Sequence, residues 1–304
     1  MASASNLSEA LLAELRHTIA QRGIVAGAHQ SGTMLVPATI PSGFSTLIDK
    51  PLQRKPLAVA VDIYGTLLAS AQGEIGSGGS WEESASSDQA FPPDMAQRLK
   101  RIVADDHARE RARGIAWPEV DAPSVFARAL DLDRDDGARA CVTWECEKNA
   151  CMAMPGALDF LSACSARGIP LGIVSNAQFY TPLFIEEAFG MDLFGSSNAR
   201  PSLAFDPTLA LWSYETGRAK PDRWMFDELA RRYAERGIAA DRILYIGNDA
   251  LNDCAAAVEA GLQCALFCGD ERSFKPRQGE ARVKISPPST LFFSWNELRR
   301  LVCT

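Results

Sequence analysis

The sequence predicts an α/β protein in which a parallel sheet is covered on both faces by helices, with a smaller helical domain inserted after the first strand. Short apolar runs without in–out alternation recur at Leu57–Val61, Leu171–Val174, Ile243–Ile246 and Cys264–Phe267, as expected of strands buried on both sides. Amphipathic helical stretches alternate with them over 157–167, 182–189, 223–236 and 253–260, the pattern of parallel strands joined by crossover helices. More than a hundred residues separate the first run from the second, whereas a simple crossover needs only about 10 to 12. A second domain has to fit between them.

Leu7, Leu11, Leu15 and Ile19 fall on one stripe of a helix over 7–22, with Asn6 and Glu9 as its capping box and Gly23 as its stop. From 24 to 56 the chain is rich in Gly, Ser and Pro without a sustained period, so residues 1–56 read as an N-terminal arm. Its helix would lie on the main body or on a neighbouring copy, so a homo-oligomer through this helix is one expectation. The core domain takes 57–70 and 151–304, and the cap takes 71–150. The cap opens with the glycine-rich Gly73–Ser80, read as a hinge or flap because it does not join a strand to a helix N-terminus. Helical signals follow: Met95, Leu99, Ile102 and Val103 behind Pro92 and Pro93, then Val125–Leu130, then Ala138–Ala150.

Charge and composition exclude several classes. The 304 residues carry 31 Lys+Arg against 38 Asp+Glu, a net charge of −7, which excludes a globally basic nucleic-acid binder. No apolar run reaches the roughly 18 residues of a membrane span, and Glu9 and Glu14 occupy the first twenty positions with no basic region before an apolar stretch. The expectation is a soluble, cytoplasmic protein that binds neither membrane nor nucleic acid. The eight cysteines lack paired zinc spacing and read as reduced, buried thiols. His17, His29 and His107 fall in segments that read as peripheral, so no Ser-His-Asp or Cys-His arrangement is favoured.

The chemical residues collect at strand ends, where parallel sheets bind ligands. Asp62 follows the first run in Asp62-Ile-Tyr-Gly-Thr66, Ser175 and Asn176 follow the second, and Gly247–Asp253 closes the third with Asp249 and Asp253 four apart. Gly217–Asp222 supplies Lys220 just before a helix. These four segments, in this order, resemble the motifs of the haloacid dehalogenase (HAD) superfamily over roughly Leu57–Gly269, as do Met154–Gly156 and Ala255–Gly261. The resemblance implies a Rossmann-like three-layer core with a helical cap between the first and second motifs. It makes Asp62 the nucleophile, places Ser175 and Asn176 on the transferred group, and has Lys220 neutralise that group. Thr66 counts with this catalytic set. Mg²⁺ would sit between Asp62, the Tyr64 carbonyl and Asp249, with Asp253 supporting the metal's waters or Lys220. Cations around both a phosphate and an attacking carboxylate are what in-line displacement requires.

One position departs from the family's phosphatases. Their second aspartate, two residues after the nucleophile, protonates the leaving group, and here that place holds Tyr64. A tyrosine there is what 2-haloacid dehalogenases show, since halide needs no proton. The acidic pair of the fourth motif favours the other branch: a Mg²⁺-dependent phosphatase acting on a small phosphorylated substrate through an aspartyl-phosphate. The alternatives are dehalogenase-like hydrolysis, or a HAD scaffold that binds a phosphorylated ligand or a partner. Arg218 reads equally as substrate contact or surface charge. Trp81 with Glu82 and Glu83, and Trp144 with Glu145 and Glu147, read chiefly as cap core and solvated surface, with a face toward the site as the alternative. Asp105, Asp106, Asp131, Asp133, Asp135 and Asp136 lack the glycine and terminal glutamate of a calcium loop and read as helix caps and turns.

Overall fold

Four consecutive side chains at Ala58–Val61 (β1) are fully buried, which a strand permits only between two covering layers. The computed structural model describes residues 7–25, 35–48, 50–70, 91–196 and 199–303. β1 follows the helix α1 (Glu9–Thr18) and precedes β2 (Leu68–Ser70). The cap helices are α2 (Met95–Ala112), α3 (Ala122–Leu130) and α4 (Arg134–Lys148), and β3 (Cys151–Ala153) returns the chain to the core. There follow α5 (Ala157–Ser165), β4 (Leu171–Ser175), α6 (Thr181–Phe189), β5 (Phe205–Trp212), α7 (Ser213–Thr216) and α8 (Arg223–Ala234). The chain ends with β6 (Ile243–Gly247), α9 (Ala256–Glu259), β7 (Gln263–Phe267), α10 (Ala281–Ile285), β8 (Thr290–Phe292) and α11 (Trp295–Val302).

Six of these strands form one parallel sheet in the order β5-β4-β1-β6-β7-β8, so β1 lies between β4 and β6 with Val61 opposite Ile173 on one side and Ile246 on the other. Alternate residues feed two cores. Val59, Val61, Ile173 and Ile246 face the layer that holds α5 and α11, while Ala58, Ala60, Val174 and Tyr245 face α8 and α9. The three-layer α/β core matches the fold read from the sequence.

β2 and β3 pair antiparallel, Leu68 opposite Ala153, and this ribbon carries the chain into and out of the cap. Gly73–Ser80, Trp81, Glu82 and Glu83 lie outside the described residues. Asp133 caps α4 by accepting from the Asp136 N–H at 2.8 Å, and Asp106 pairs with Arg109 and Arg128, so these acids serve the helices.

α1 starts two residues later than its apolar stripe suggested, capped by Ser8, whose hydroxyl accepts from the Leu11 N–H; Asn6 lies outside the described residues. Its last turn widens to a π-helix over Ile19–Gly23. Leu11, Leu15 and Ile19 are buried in this chain's own core, Arg16 pairs with Glu186 and Glu187 of α6, and Glu14 pairs with Arg139 of α4. The apolar face that could have met a neighbouring copy is thus covered by the same chain, bridging cap and core. All eight cysteines are buried and free. Among the described residues, no helix is long and apolar enough to cross a membrane.

Candidate active site

Asp62 leaves the end of β1 with its N–H donating to Ile246 O at 2.8 Å, which fixes its carboxylate over the sheet edge. Oδ1 accepts from the Ser175 hydroxyl at 2.9 Å and lies 2.7 Å from the Lys220 ammonium. No hydrogen bond to Oδ2 is made among the described residues. Lys220 is 5% exposed. Burial by itself would drive its ammonium toward neutrality, but Asp253 and Asp62 outweigh that and hold its pKa above the usual lysine range.

The Asn176 side chain sets the position of Lys220. It accepts the Lys220 N–H at 2.6 Å and donates to the Lys220 carbonyl at 3.2 Å, latching the third motif to the second. Asp253 holds the other side: Oδ1 is 2.6 Å from the ammonium and 3.2 Å from the Tyr245 hydroxyl, and Oδ2 accepts the N–H groups of Asn248 and Asp249 at 3.0 and 2.9 Å. A Cβ on Gly247 would fall 2.3 Å from the Asp253 carboxyl carbon, so only glycine lets this carboxylate fold back. Both Asp253 oxygens are occupied within the protein.

Asp249 is equally occupied. Its Oδ1 caps the following π-helical turn by accepting from Leu251 and Asn252 N–H at 2.8 and 3.0 Å, and its Oδ2 accepts from Arg277 Nε and Nη2 at 3.1 and 2.8 Å. Arg277 was not among the residues expected at the site. Its loop is stitched to the fourth motif: Lys275 N–H donates to Asn248 O, Ala250 N–H to Lys275 O, and Asn248 Nδ2 to Ser273 O at 2.6 Å. Arg277 itself has φ +46°, a left-handed conformation that costs a non-glycine residue about 1 kcal/mol or more.

Whether these residues fit Mg²⁺ turns on their free oxygens. A carboxylate oxygen has two acceptor sites, and those of Asp249 and Asp253 are filled by backbone N–H groups, Lys220 and Arg277. Mg²⁺ demands near-ideal octahedral oxygen coordination, and the Arg277 guanidinium beside Asp249 would oppose a second cation. Among the described residues, no three His, Cys, Asp or Glu side chains are grouped to hold a metal. As arranged, the carboxylates of Asp249 and Asp253 leave no acceptor site open for the ion, although both line the same cavity as Asp62 and Tyr64.

Tyr64 is buried, with its hydroxyl 3.2 Å from Thr181 Oγ1. Burial, with Cys151 and Glu145 adding negative potential, pushes the phenol well above its usual range, so it stays neutral. Thr66 donates to Asn248 Oδ1 at 3.2 Å, and Gly65, at φ +75°, makes the tight turn between them. Thr66 thus supports the fourth motif. Arg218 pairs with Asp222 at 2.8 Å over Trp224, a structural role.

A cavity of about 520 Å³ opens between core and cap, reached by Asp62, Tyr64, Lys220 and Arg277 from below and by Leu99 and Trp144 from above. Trp144 and Glu145 line it, while Glu147 is exposed. Burial pushes the Glu145 carboxyl up to about 7, against the hydrogen bonds from Asn149 and Tyr180. His107, expected at the periphery, also lines the cavity, because the face of α2 that carries it turns inward.

A family model described as haloacid dehalogenase-like hydrolase matches residues 56–261. No curated protein matches the sequence. A crystal structure of the L-2-haloacid dehalogenase RSc1362 is similar in fold, with a TM-score of 0.51, 17% identity, and coverage of 83% of this chain and 100% of the other. A dehalogenase crystallised with an intermediate complex gives a TM-score of 0.50 at 15% identity, covering 83% and 100%. A HAD phosphatase from Thermococcus onnurineus gives 0.44 at 18% identity, covering 80% and 96%.

Proposed function

Because the chain belongs to the haloacid dehalogenase-like hydrolases, we propose that it displaces a leaving group from carbon with the Asp62 carboxylate, in the manner of a 2-haloacid dehalogenase, and that it does so without a metal. The observation that carries this is the pairing of Asp249 with Arg277, which puts a protein cation where a phosphatase would keep Mg²⁺. Without that ion, Asp62 and Asp253 outnumber Lys220 and the site repels a phosphate dianion. A 2-haloacid brings one negative charge in place of the phosphate's two, so the penalty is smaller. Tyr64 agrees, since a halide departs without the proton that a carboxylic acid at this place would supply.

The chemistry follows from the two oxygens of Asp62. Oδ2 attacks, a C–O bond forms as the carbon–halogen bond breaks, and the halide leaves with the bonding pair. The ester's carbonyl oxygen is then Oδ1, which already has Ser175 Oγ at 2.9 Å and Lys220 Nζ at 2.7 Å. Water adds to the carbonyl carbon, and the oxyanion forms on Oδ1 between those two donors, at distances suited to an oxyanion hole. Collapse breaks the acyl C–O bond, restores the carboxylate, and releases the 2-hydroxy acid and one proton. Asn176 is a positioning residue for Lys220.

The other reading, Mg²⁺-dependent hydrolysis of a small phosphate ester through an aspartyl-phosphate, is favoured by one fact. The Arg277 side chain is 40% exposed, so a metal ion could compete with it for Asp249. The two are separated by assaying chloride release from 2-chloropropionate in EDTA against p-nitrophenyl phosphate hydrolysis with added Mg²⁺. Chloride release undiminished by EDTA is expected. Phosphate release that requires Mg²⁺, with no halide release, would replace the proposal by the second reading.

A further inference from the structure

The face of α2 that looks into the cavity carries three basic residues that make no hydrogen bond or ion pair among the described residues. Lys100, His107 and Arg111 stand at i, i+7 and i+11, which at about 100° per residue places them within roughly 20° of one line over some 16 Å of helix. All three line the cavity. Arg98 pairs with Asp94, Arg109 with Asp106, and the C-cap Arg113 with Glu110. Lys100 and Arg111 line the cavity while remaining exposed, and His107 between them is half-buried. The cavity's cap carboxyls do not compensate them, since Glu119 accepts from Ser213, Gln178 and the Val120 N–H, and Glu145 from Asn149.

The rest of the cap lining is apolar: Leu99, Val103, Val125, Phe126 and Trp144. At about 520 Å³ the space falls in the range that holds an extended organic ligand, roughly 300–1,000 Å³, well beyond the need of a two- or three-carbon acid. The core end, with Asp62 and Asp253 against Lys220, carries excess negative charge, so the two ends of the cavity have opposite sign and would orient a bound molecule.

We propose that Lys100, His107 and Arg111 form a second anion subsite, and that the substrate is an extended organic acid with an apolar body and a carboxylate remote from the reacting carbon. The remote carboxylate docks on α2, the body lies along the apolar cap lining, and the reacting end meets Asp62. Burial and the neighbouring Arg111 lower the His107 pKa, which leaves Lys100 and Arg111 as the standing charges of the row.

The reacting end of this substrate rests on the reading of Asp62 given above, so the test has two arms. In the first, octanoate and octanamide are titrated by calorimetry at fixed ionic strength into the wild type, a Lys100→Gln/Arg111→Gln double variant, and Arg101→Gln, an exposed residue off the row. Octanoate should bind the wild type about tenfold or more tightly than octanamide. The double variant should lose that preference and Arg101→Gln should keep it. In the second arm, halide release is compared for 2-bromooctanedioate and 2-bromooctanoate, with a similar preference for the diacid expected, expressed in KM rather than kcat. Equal binding of octanoate and octanamide by the wild type, or a preference that survives in the double variant, would overturn the subsite. Absence of halide release with octanoate binding as expected would overturn only the carbon-displacement chemistry.

Discussion

Asp249 decides how the site works, because its two oxygens face different partners: backbone N–H groups on one and Arg277 on the other. If Arg277 holds the place of a metal, wild-type protein should show no Mg²⁺-dependent change in thermal midpoint. Arg277→Ser should gain one, at a cost in metal-free stability of about 1–3 kcal/mol, because the Asp249 side chain is only 5% exposed and would lose its cation. A wild-type midpoint that rises with Mg²⁺ would mean that the ion displaces the guanidinium unaided. Tyr64 gives a second check. Among the described residues its hydroxyl hydrogen-bonds only with Thr181 Oγ1, which also receives the Gln178 N–H at 3.1 Å. Tyr64→Phe should therefore keep turnover within a few-fold and cost about 1 kcal/mol, whereas a loss of about 10²-fold or more would make this phenol a proton donor in the reaction. At this scale the sequence was legible at the strand ends that carry Asp62 and Ser175 and in the segment before α8 that carries Lys220. Arg277 was not: it lies 28 residues beyond Asp249, and only backbone pairing of its loop with Asn248 and Ala250 brings it in.

Among the elements, α4 couples cap and site through Glu145, which is 4% exposed. Its carboxyl has an ordinary value of 4.5 and is raised by burial to about 7 in the fold. Between those pH values the folded chain keeps a proton that the unfolded chain has lost, so stability falls as pH rises across the window and stays lower above it. The effect is at most about 3 kcal/mol. Glu145→Gln preserves the amide-compatible contact with Asn149, so it should raise the thermal midpoint over wild type at pH 8 and much less at pH 5. An equal difference at both pH values would show that Glu145 does not titrate in this window. The longer helices up to residue 260 and the four apolar strands were readable from periodicity, whereas α7, α10 and α11 were not read, and nor was β5. Pro207 interrupts it, it lies at the sheet edge, and its register with β4 shifts between Leu171 and Ile173. β8, only three residues long behind Pro287 and Pro288, gave too short a run to stand out.

Over the whole molecule, the two-stranded ribbon of β2 and β3 and the bridge made by α1 bind cap to core, and the cavity between them unites all four motifs. The insertion of the cap was legible from the length between the first two strands. The destination of the N-terminal arm was not, because an amphipathic stripe does not say which apolar surface covers it, and here that surface includes α4 and α6 of the same chain. On the proposed mechanism, Asp62 forms an ester with carbon and water reopens it at the Asp62 carbonyl. Many turnovers of 2-chloropropionate in ¹⁸O-labelled water, followed by mass spectrometry of the peptide that contains Asp62, test it directly. The heavy isotope should accumulate in the Asp62 carboxylate, since each cycle returns one water oxygen to it. Turnover that leaves Asp62 unlabelled, with the isotope only in the released product, would contradict the mechanism.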